Sequence, residues 1–424
     1  MTNLSRRNFL RGSTLIPFIS PMAAIANVEK KHSVSFEAKE AWVRKARNSI
    51  PATKDLFFQT AGIGPSPKEV INTVSSKLRF QNKGPVHPKI SEEMGLIEPQ
   101  LRKQLGDTFG AHANEIALTH STSEGINIAS WSINWKKNDE VIISNQEHPA
   151  NTIPWYSLST RYGIKIKRLN FDTGTNIVSE LKNRLTKKTR MVSIPHVSRN
   201  NGRAITLEES KQIAQLLRPK GIRYHLDGAQ GPLCVPFNFH DLECDYYSTC
   251  GHKWILGPKG TGAFFCRRDI LDNTRLTWTG SHSHSSMDQN GNYVLLPGAR
   301  RFEFGTRALA TFAGFDEAIR WCSSIGIEKI LNRIDELVIF SIENWTKRGF
   351  EVTSPTSDNQ RSGVFVIKLP SNCNGWKIYD SLRLQESAFT SPVDSPRDLR
   401  VAVHFFNTRN EIDKTFNIIE RYCL

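Results

Sequence analysis

The sequence predicts an α/β protein, a mostly parallel sheet covered by helices on both faces, followed by a smaller α+β unit. Three observations lead there. From about Glu115 to Cys266, short apolar runs alternate with segments of helical period, as expected of strands joined by helical crossovers. The polar clusters of that region fall at the carboxyl ends of the apolar runs, where sheets of this kind bind ligands. Hydrophobic residues make up 38% of the chain, with nine Trp and 23 Phe, enough for a substantial core.

In chain order, EIALT (115–119) reads as a strand and is followed by a helix from Glu124. VIIS (141–144) precedes a helix through Trp155, and IKIKRL (164–169) one near Glu180. MVSIP (191–195) leads to a helix whose start, Thr206 with Glu209, reads as a capping box. RYHLD (223–227), DYYST (245–249) and GAFFC (262–266) complete the strand set. Two long helical stretches follow Arg307. Beyond them, strands are expected near Val364–Lys368 and Leu399–Val403, with helices around 376–383 and 410–421. The division expected is a leader over 1–26, an N-terminal segment over 27–64, a large domain over 65–306, and connecting helices with a small domain over 307–424.

The leader reading rests on Ser5-Arg6-Arg7-Asn8-Phe9-Leu10-Arg11, a twin-arginine pattern, followed by a mildly apolar run and Ala24-Ile25-Ala26. That run is too short and too interrupted by Pro17 and Pro21 to span a bilayer. The expectation is export to the periplasm by the twin-arginine translocase, with cleavage near Ala26. That route carries folded proteins, often with a cofactor already seated. The seven cysteines contain no CxxC pair and no zinc-site spacing, so neither a disulfide framework nor a cysteine-based metal centre is expected. The formal charge of +15 comes from scattered Lys and Arg without a basic block or aromatic interleaving, so no nucleic-acid partner is expected. His282 and His284 have H-x-H spacing without a neighbouring carboxylate or thiol and read as a loop rather than a metal site.

Four features carry the chemistry. His120-Ser121-Thr122-Ser123-Glu124 joins a strand to a helix, and small hydroxyl residues at a helix start cradle phosphate. Glu147-His148-Pro149 ends the next strand with a flat imidazole. His225-Leu226-Asp227-Gly228-Ala229-Gln230 ends another with a carboxylate. Lys253 stands in Ser248-Thr-Cys-Gly-His-Lys-Trp, among small and apolar neighbours that would lower its pKa and free an amine. A phosphate cradle, a flat side chain, a carboxylate and a lysine on one sheet edge are what pyridoxal 5′-phosphate requires.

HLDGAQ (225–230) and CGHKWILGPKGTG (250–262) resemble the signature of class V aminotransferases, fold-type I pyridoxal-phosphate enzymes that include cysteine desulfurases, kynureninases and isopenicillin N epimerase. STSEGIN, QEHPANTIPW, HVSRNNG, RRFEFGT and LRVAVHFFNT match in the same order, over nearly the whole mature chain. The resemblance implies that Lys253 forms the Schiff base, Asp227 pairs with the ring nitrogen, Gln230 bonds the ring oxygen and His148 stacks on the ring. Thr122, Ser123 and His252 would bind phosphate, with Cys250 standing where many relatives have serine. Thr306 would reach the phosphate of a second subunit, in a homodimer. Arg400 would hold the substrate carboxylate, and Arg199 also falls among the substrate residues.

Desulfurases carry a nucleophilic cysteine shortly before the carboxylate-binding arginine, whereas residues 385–400 contain none. Arg199, where desulfurases tend to have Asn, is more similar to the isopenicillin-N-epimerase-like branch. The expectation is therefore an enzyme acting at the Cα of an amino acid or peptidic amino-acyl group. Epimerisation, transamination and lyase chemistry remain open. The alternatives are a cysteine desulfurase or C–S lyase, and a non-catalytic binding protein on the same fold.

Overall fold

The computed structural model describes residues 41–357 and 359–423. The twin-arginine pattern and the Ala26 cleavage site, with the rest of 1–40, lie outside the described residues.

Seven strands form the central sheet: β1 (Ile116–Thr119), β2 (Glu140–Ser144), β3 (Lys165–Leu169), β4 (Thr189–Pro195), β5 (Arg223–Asp227), β6 (Tyr246–Cys250) and β7 (Gly262–Cys266). Their order is β1-β7-β6-β5-β4-β2-β3, and only β7 runs antiparallel to its neighbours. The exception has a local cause. Parallel neighbours need a crossover long enough for a helix. Residues 251–261, between β6 and β7, form turns and no helix, so the chain returns antiparallel beside β6. That helix-free return is the segment that carries Lys253.

Every residue of β6 and β7, and all but the first of β2 and β5, is buried, as expected of a sheet covered on both faces. Among the covering helices, Thr122–Trp131 starts two residues earlier than the sequence suggested, with the Ser121 side chain accepting from Glu124 N–H. Leu207–Leu217 has the expected capping box, Thr206 and Glu209 each bonding the other's backbone N–H.

The sequence reading left the region before Glu115 without assigned elements. Among the described residues it includes the helices Lys68–Gln81, Pro88–Gly95 and Ile97–Phe109. The first and third pack against Leu309–Ile325, the first long helix after Arg307. A second, antiparallel sheet contains β8 (Glu351–Val352), β9 (Val364–Lys368), β10 (Ser391–Pro392) and β11 (Asp398–Ala402), in the order β8-β9-β11-β10. Residues from Ala46 onward form one unit that contains both sheets.

Candidate active site

The carboxyl ends of β4, β5 and β6 open onto a cavity of about 280 Å³. At one end, Thr122 and Ser123 begin the helix after β1, with Cys250 and His252 facing them from the β6 side. Among the described residues, the buried Thr122 Oγ1 and His252 Nδ1 atoms lack a hydrogen-bond partner. Burial, with the Lys253 and Lys259 charges, lowers the His252 imidazole to about 4, so it is neutral at physiological pH. Free helix N–H groups and two orphan polar atoms in one corner suit a polyanion such as phosphate.

The middle of the cavity holds Asp227, Gln230, Lys253 and His148. Asp227 is 5% exposed and accepts from Ala229 N–H at 2.9 Å. Burial raises its pKa, partly opposed by that N–H and by Lys253. Burial lowers the Lys253 pKa; Cys250 and Asp227 oppose the shift, and Arg400 and Arg199 add to it. The expected amine with weakened basicity is therefore present. Gln230 is oriented by two bonds: its Oε1 accepts from Trp254 Nε1 at 2.7 Å, and its Nε2 donates to Ala61 O at 2.8 Å. One N–H remains for a ligand. His148 Nδ1 accepts from Ala150 N–H at 3.1 Å, which places its proton on Nε2. Partial desolvation and the charges of Lys253, Arg199 and Arg400 lower that imidazole to about 4.

Arg400, in the middle of β11, and Arg199, after β4, close the far end. Arg400 is 6% exposed. Its Nε has no partner, and its other contacts are long: Nη1 to Arg199 O at 3.4 Å and Nη2 to Gln59 Oε1 at 3.3 Å. Burial and the neighbouring Arg199 charge lower its pKa to about 10, still protonated at neutral pH. A desolvated guanidinium with unspent donors is prepared for a carboxylate.

Of the residues singled out from the sequence, Thr306 alone lies outside this cavity, and it is exposed. Its motif neighbours hold the fold together: Glu303 pairs with Arg102 at 2.6 Å, and Arg307 donates to Leu118 O at 2.7 Å. The sequence reading missed the N-terminal wall made by Ala61 and Gly62. Gly64 N–H donates to His252 O at 2.7 Å, and a Cβ at Gly64 would come within 2.1 Å of Lys253 O. The TAGIGP run (60–65) was the signal available for this close approach. No metal cluster forms at His282 and His284 among the described residues. His112, Glu115 and His240 do converge, but Glu115 already accepts from His112 N–H, Arg268 N–H and the His240 ring, so the group is satisfied without an ion.

An α/β sheet whose strand ends carry a corner suited to phosphate, a middle bounded by carboxylate and lysine, and an end suited to a carboxylate fits a pyridoxal-phosphate-dependent enzyme. The aminotransferase class-V family model matches residues 56–414, and the chain belongs to that family, with pyridoxal 5′-phosphate as its cofactor. Among curated relatives, it is 27% identical to a probable cysteine desulfurase of Methanothermobacter thermautotrophicus, over 67% of this chain and 71% of that protein. It is 24% identical to a cysteine desulfurase of Haloferax volcanii, over 86% and 88%. Its fold resembles that of the cystine C–S lyase C-DES in complex with cysteine persulfide, with a TM-score of 0.81, 24% identity, and 86% and 97% of the two chains covered. An apo cysteine desulfurase of Thermococcus onnurineus gives 0.80 at 22% identity, over 90% and 98%. The epimerase-like branch expected from Arg199 is not represented among these relatives, which are named as desulfurases.

Proposed function

We propose that this protein is a pyridoxal-phosphate-dependent C–S lyase that opens the Cβ–S bond of a cysteine-derived amino acid by β-elimination. The relatives named as cysteine desulfurases support sulfur chemistry at this site. The observation that favours elimination over persulfide transfer is the placement of the thiols. All seven cysteines are free and buried, and residues 385–400, ahead of and including Arg400, contain none. Cys250 is the one thiol lining the cavity; it sits at the phosphate corner, and burial raises its pKa, which disfavours the nucleophilic thiolate. Without a thiolate to capture sulfur, elimination is the favoured route over persulfide transfer.

Bound cofactor supplies an electron sink for the bond broken at Cα. Arg400 holds the α-carboxylate and so fixes which Cα substituent faces Lys253. The Lys253 Nζ, its basicity lowered by burial, is the base placed to take the Cα proton. Asp227, held by Ala229 N–H, presents its carboxylate to the ring nitrogen, and neutral His148 offers a flat face without competing for a proton. Thr122, Ser123 and His252 anchor the phosphate, with Cys250 beside them.

Product analysis tests this reading. Elimination from a cysteine derivative in water yields pyruvate, ammonia and the sulfur fragment, whereas desulfuration yields alanine. Stoichiometric pyruvate is expected with the purified enzyme; alanine as the main product would show a desulfurase, and racemised substrate an epimerase.

Two further parts of the proposal rest on sequence. Export to the periplasm is supported by SRRNFLR and the Ala24-Ile25-Ala26 site, and replacing Arg6 and Arg7 by Lys should retain the protein in the cytoplasm on fractionation. A homodimer in which Thr306 completes the neighbouring phosphate site is supported by that residue's exposure outside its own cavity.

A further inference from the structure

The cavity has one guanidinium more than a monocarboxylic amino acid uses. Among the described residues, its cationic side chains are Lys253, Arg400 and Arg199, and its one carboxylate, Asp227, belongs to the cofactor end. Arg400 accounts for the α-carboxylate. Arg199 remains. Its ion pair is with Asp394 at 3.3 Å, and the Asp394 side chain is 67% exposed. An exposed pair of this kind contributes little, so the guanidinium can be redirected at small cost. Meanwhile the Arg199 charge is felt inside the site: it helps lower the pKa of Arg400, Lys253 and His148. A second anion placed between Arg199 and Arg400 would relieve that repulsion.

We propose that Arg199 binds a second carboxylate, carried on the sulfur side of the substrate. The preferred substrates are then dicarboxylic sulfur amino acids, such as disulfide-linked or S-carboxyalkyl cysteine derivatives, rather than cysteine itself. This rests on the C–S lyase reading for the word sulfur, while the two-carboxylate geometry stands on the cavity alone. The bonds that change are those of the elimination: Cα–H gives its proton to Lys253 Nζ, its electron pair becomes the Cα=Cβ bond, and sulfur leaves with the Cβ–S electron pair. The competing role for Arg199 is a latch, since Asp394 also accepts from Asn200 Nδ2 at 2.7 Å and so ties the segment after β10 to the cavity rim.

The test uses unreactive ligands of equal length in the cofactor-loaded enzyme. L-2-aminoadipate carries a distal carboxylate and L-norleucine does not, and each is titrated through the shift of the cofactor absorbance band. Wild type is expected to bind aminoadipate about tenfold or more tightly than norleucine, the size of one charge-assisted carboxylate contact. Arg199→Gln should remove that preference by weakening aminoadipate alone, and Arg199→Lys should restore part of it. Asp394→Asn, which frees Arg199 from the latch, should keep or increase the preference. Equal binding of the two ligands by wild type would overturn the proposal, as would an Arg199→Gln variant weakened equally for both. Pyruvate formation is read separately, so a diacid preference without C–S cleavage would refute the lyase reading and leave the second carboxylate site standing.

Discussion

Two sets of buried polar groups lie side by side at the carboxyl ends of β4, β5 and β6, and they are built on opposite terms. Beneath the cavity a closed chain crosses the sheet. Asn151 Nδ2 donates to Glu147 Oε2 at 2.7 Å, Ser193 Oγ donates to Asn151 Oδ1 at 2.8 Å, and His225 bridges Ser193 at 2.7 Å and Ser248 at 2.9 Å. Because Ser193 spends its proton on Asn151, His225 Nδ1 must carry a hydrogen, and its Nε2 accepts from Ser248. Along the cavity wall, by contrast, Thr122 Oγ1, His252 Nδ1 and Arg400 Nε have no partner. Neighbours in sequence fall into different sets: Glu147 belongs to the chain and His148 to the wall, His225 to the chain and Asp227 to the wall. Residue type does not separate the two sets. The orphan atoms do: the chain is closed on itself, whereas Thr122, His252 and Arg400 keep buried polar atoms that a ligand can complete.

The comparison predicts that wall variants lose function with little loss of stability, and chain variants the reverse. The largest effect is expected from Lys253→Ala. It should remove the absorbance band of covalently held cofactor and lower turnover by about 10²–10⁴-fold or more, with the far-ultraviolet circular dichroism unchanged. Turnover within a few-fold of wild type would place the acting amine elsewhere.

His225 breaks the comparison from the other side. Burial lowers its imidazole to about 3, so the native state holds it neutral while the unfolded chain takes up a proton near pH 6.5. Below that pH the unfolded state binds more protons, and stability falls as pH falls, by about 1 kcal/mol per unit for this group. His225→Phe removes that dependence but leaves the Ser193 and Ser248 hydroxyls without their ring partner. At neutral pH the variant should be less stable by about 1–3 kcal/mol in urea denaturation. The gap to wild type should close as pH is lowered toward 4.5. A gap that widens with acid, or a turnover loss as large as that of Lys253→Ala, would contradict the division.

How much was legible follows from what each element depends on. The seven strands of the central sheet were found within about two residues; all but the edge strand β3 are buried nearly throughout, so their apolar and β-branched runs stand out. Lys253, Asp227 and His148 could be read because strand ends are fixed by those same runs. Of the helices over 68–109, the first escaped because it is mostly polar, with Val70 its one buried residue, whereas the third carries a legible i, i+4 stripe of Ile97, Leu101, Leu105 and Phe109. Gln59, Ala61 and Gly62 escaped for another reason. They reach the site through tertiary pairing, Gln59 bridging to Ala402, and nothing in a local window marks that. The antiparallel return of β7 was hidden likewise, since it depends on the absence of a helix around Lys253. That Thr122, His252 and Arg400 keep orphan atoms while His225 is bonded at both ring nitrogens is a property of the fold alone.

The smallest expected effect sharpens the wall itself. Cys250 ends β6 at 3% exposure, its Sγ 3.9 Å from Ala229 O, in the corner with Thr122 and His252. A thiol is a weak donor and burial keeps it protonated, so its contact with phosphate is the least productive in the corner. Cys250→Ser puts a stronger donor at the same place with little change in volume. If the corner binds phosphate, the gain is one better hydrogen bond, about 0.5–1.5 kcal/mol, or roughly two- to tenfold in the cofactor dissociation constant. Equilibrium dialysis of the apoenzyme against pyridoxal phosphate measures it. An unchanged constant would mean that Cys250 packs as a small apolar residue, and that the phosphate is held by the helix N-terminus, Thr122 and His252 without it.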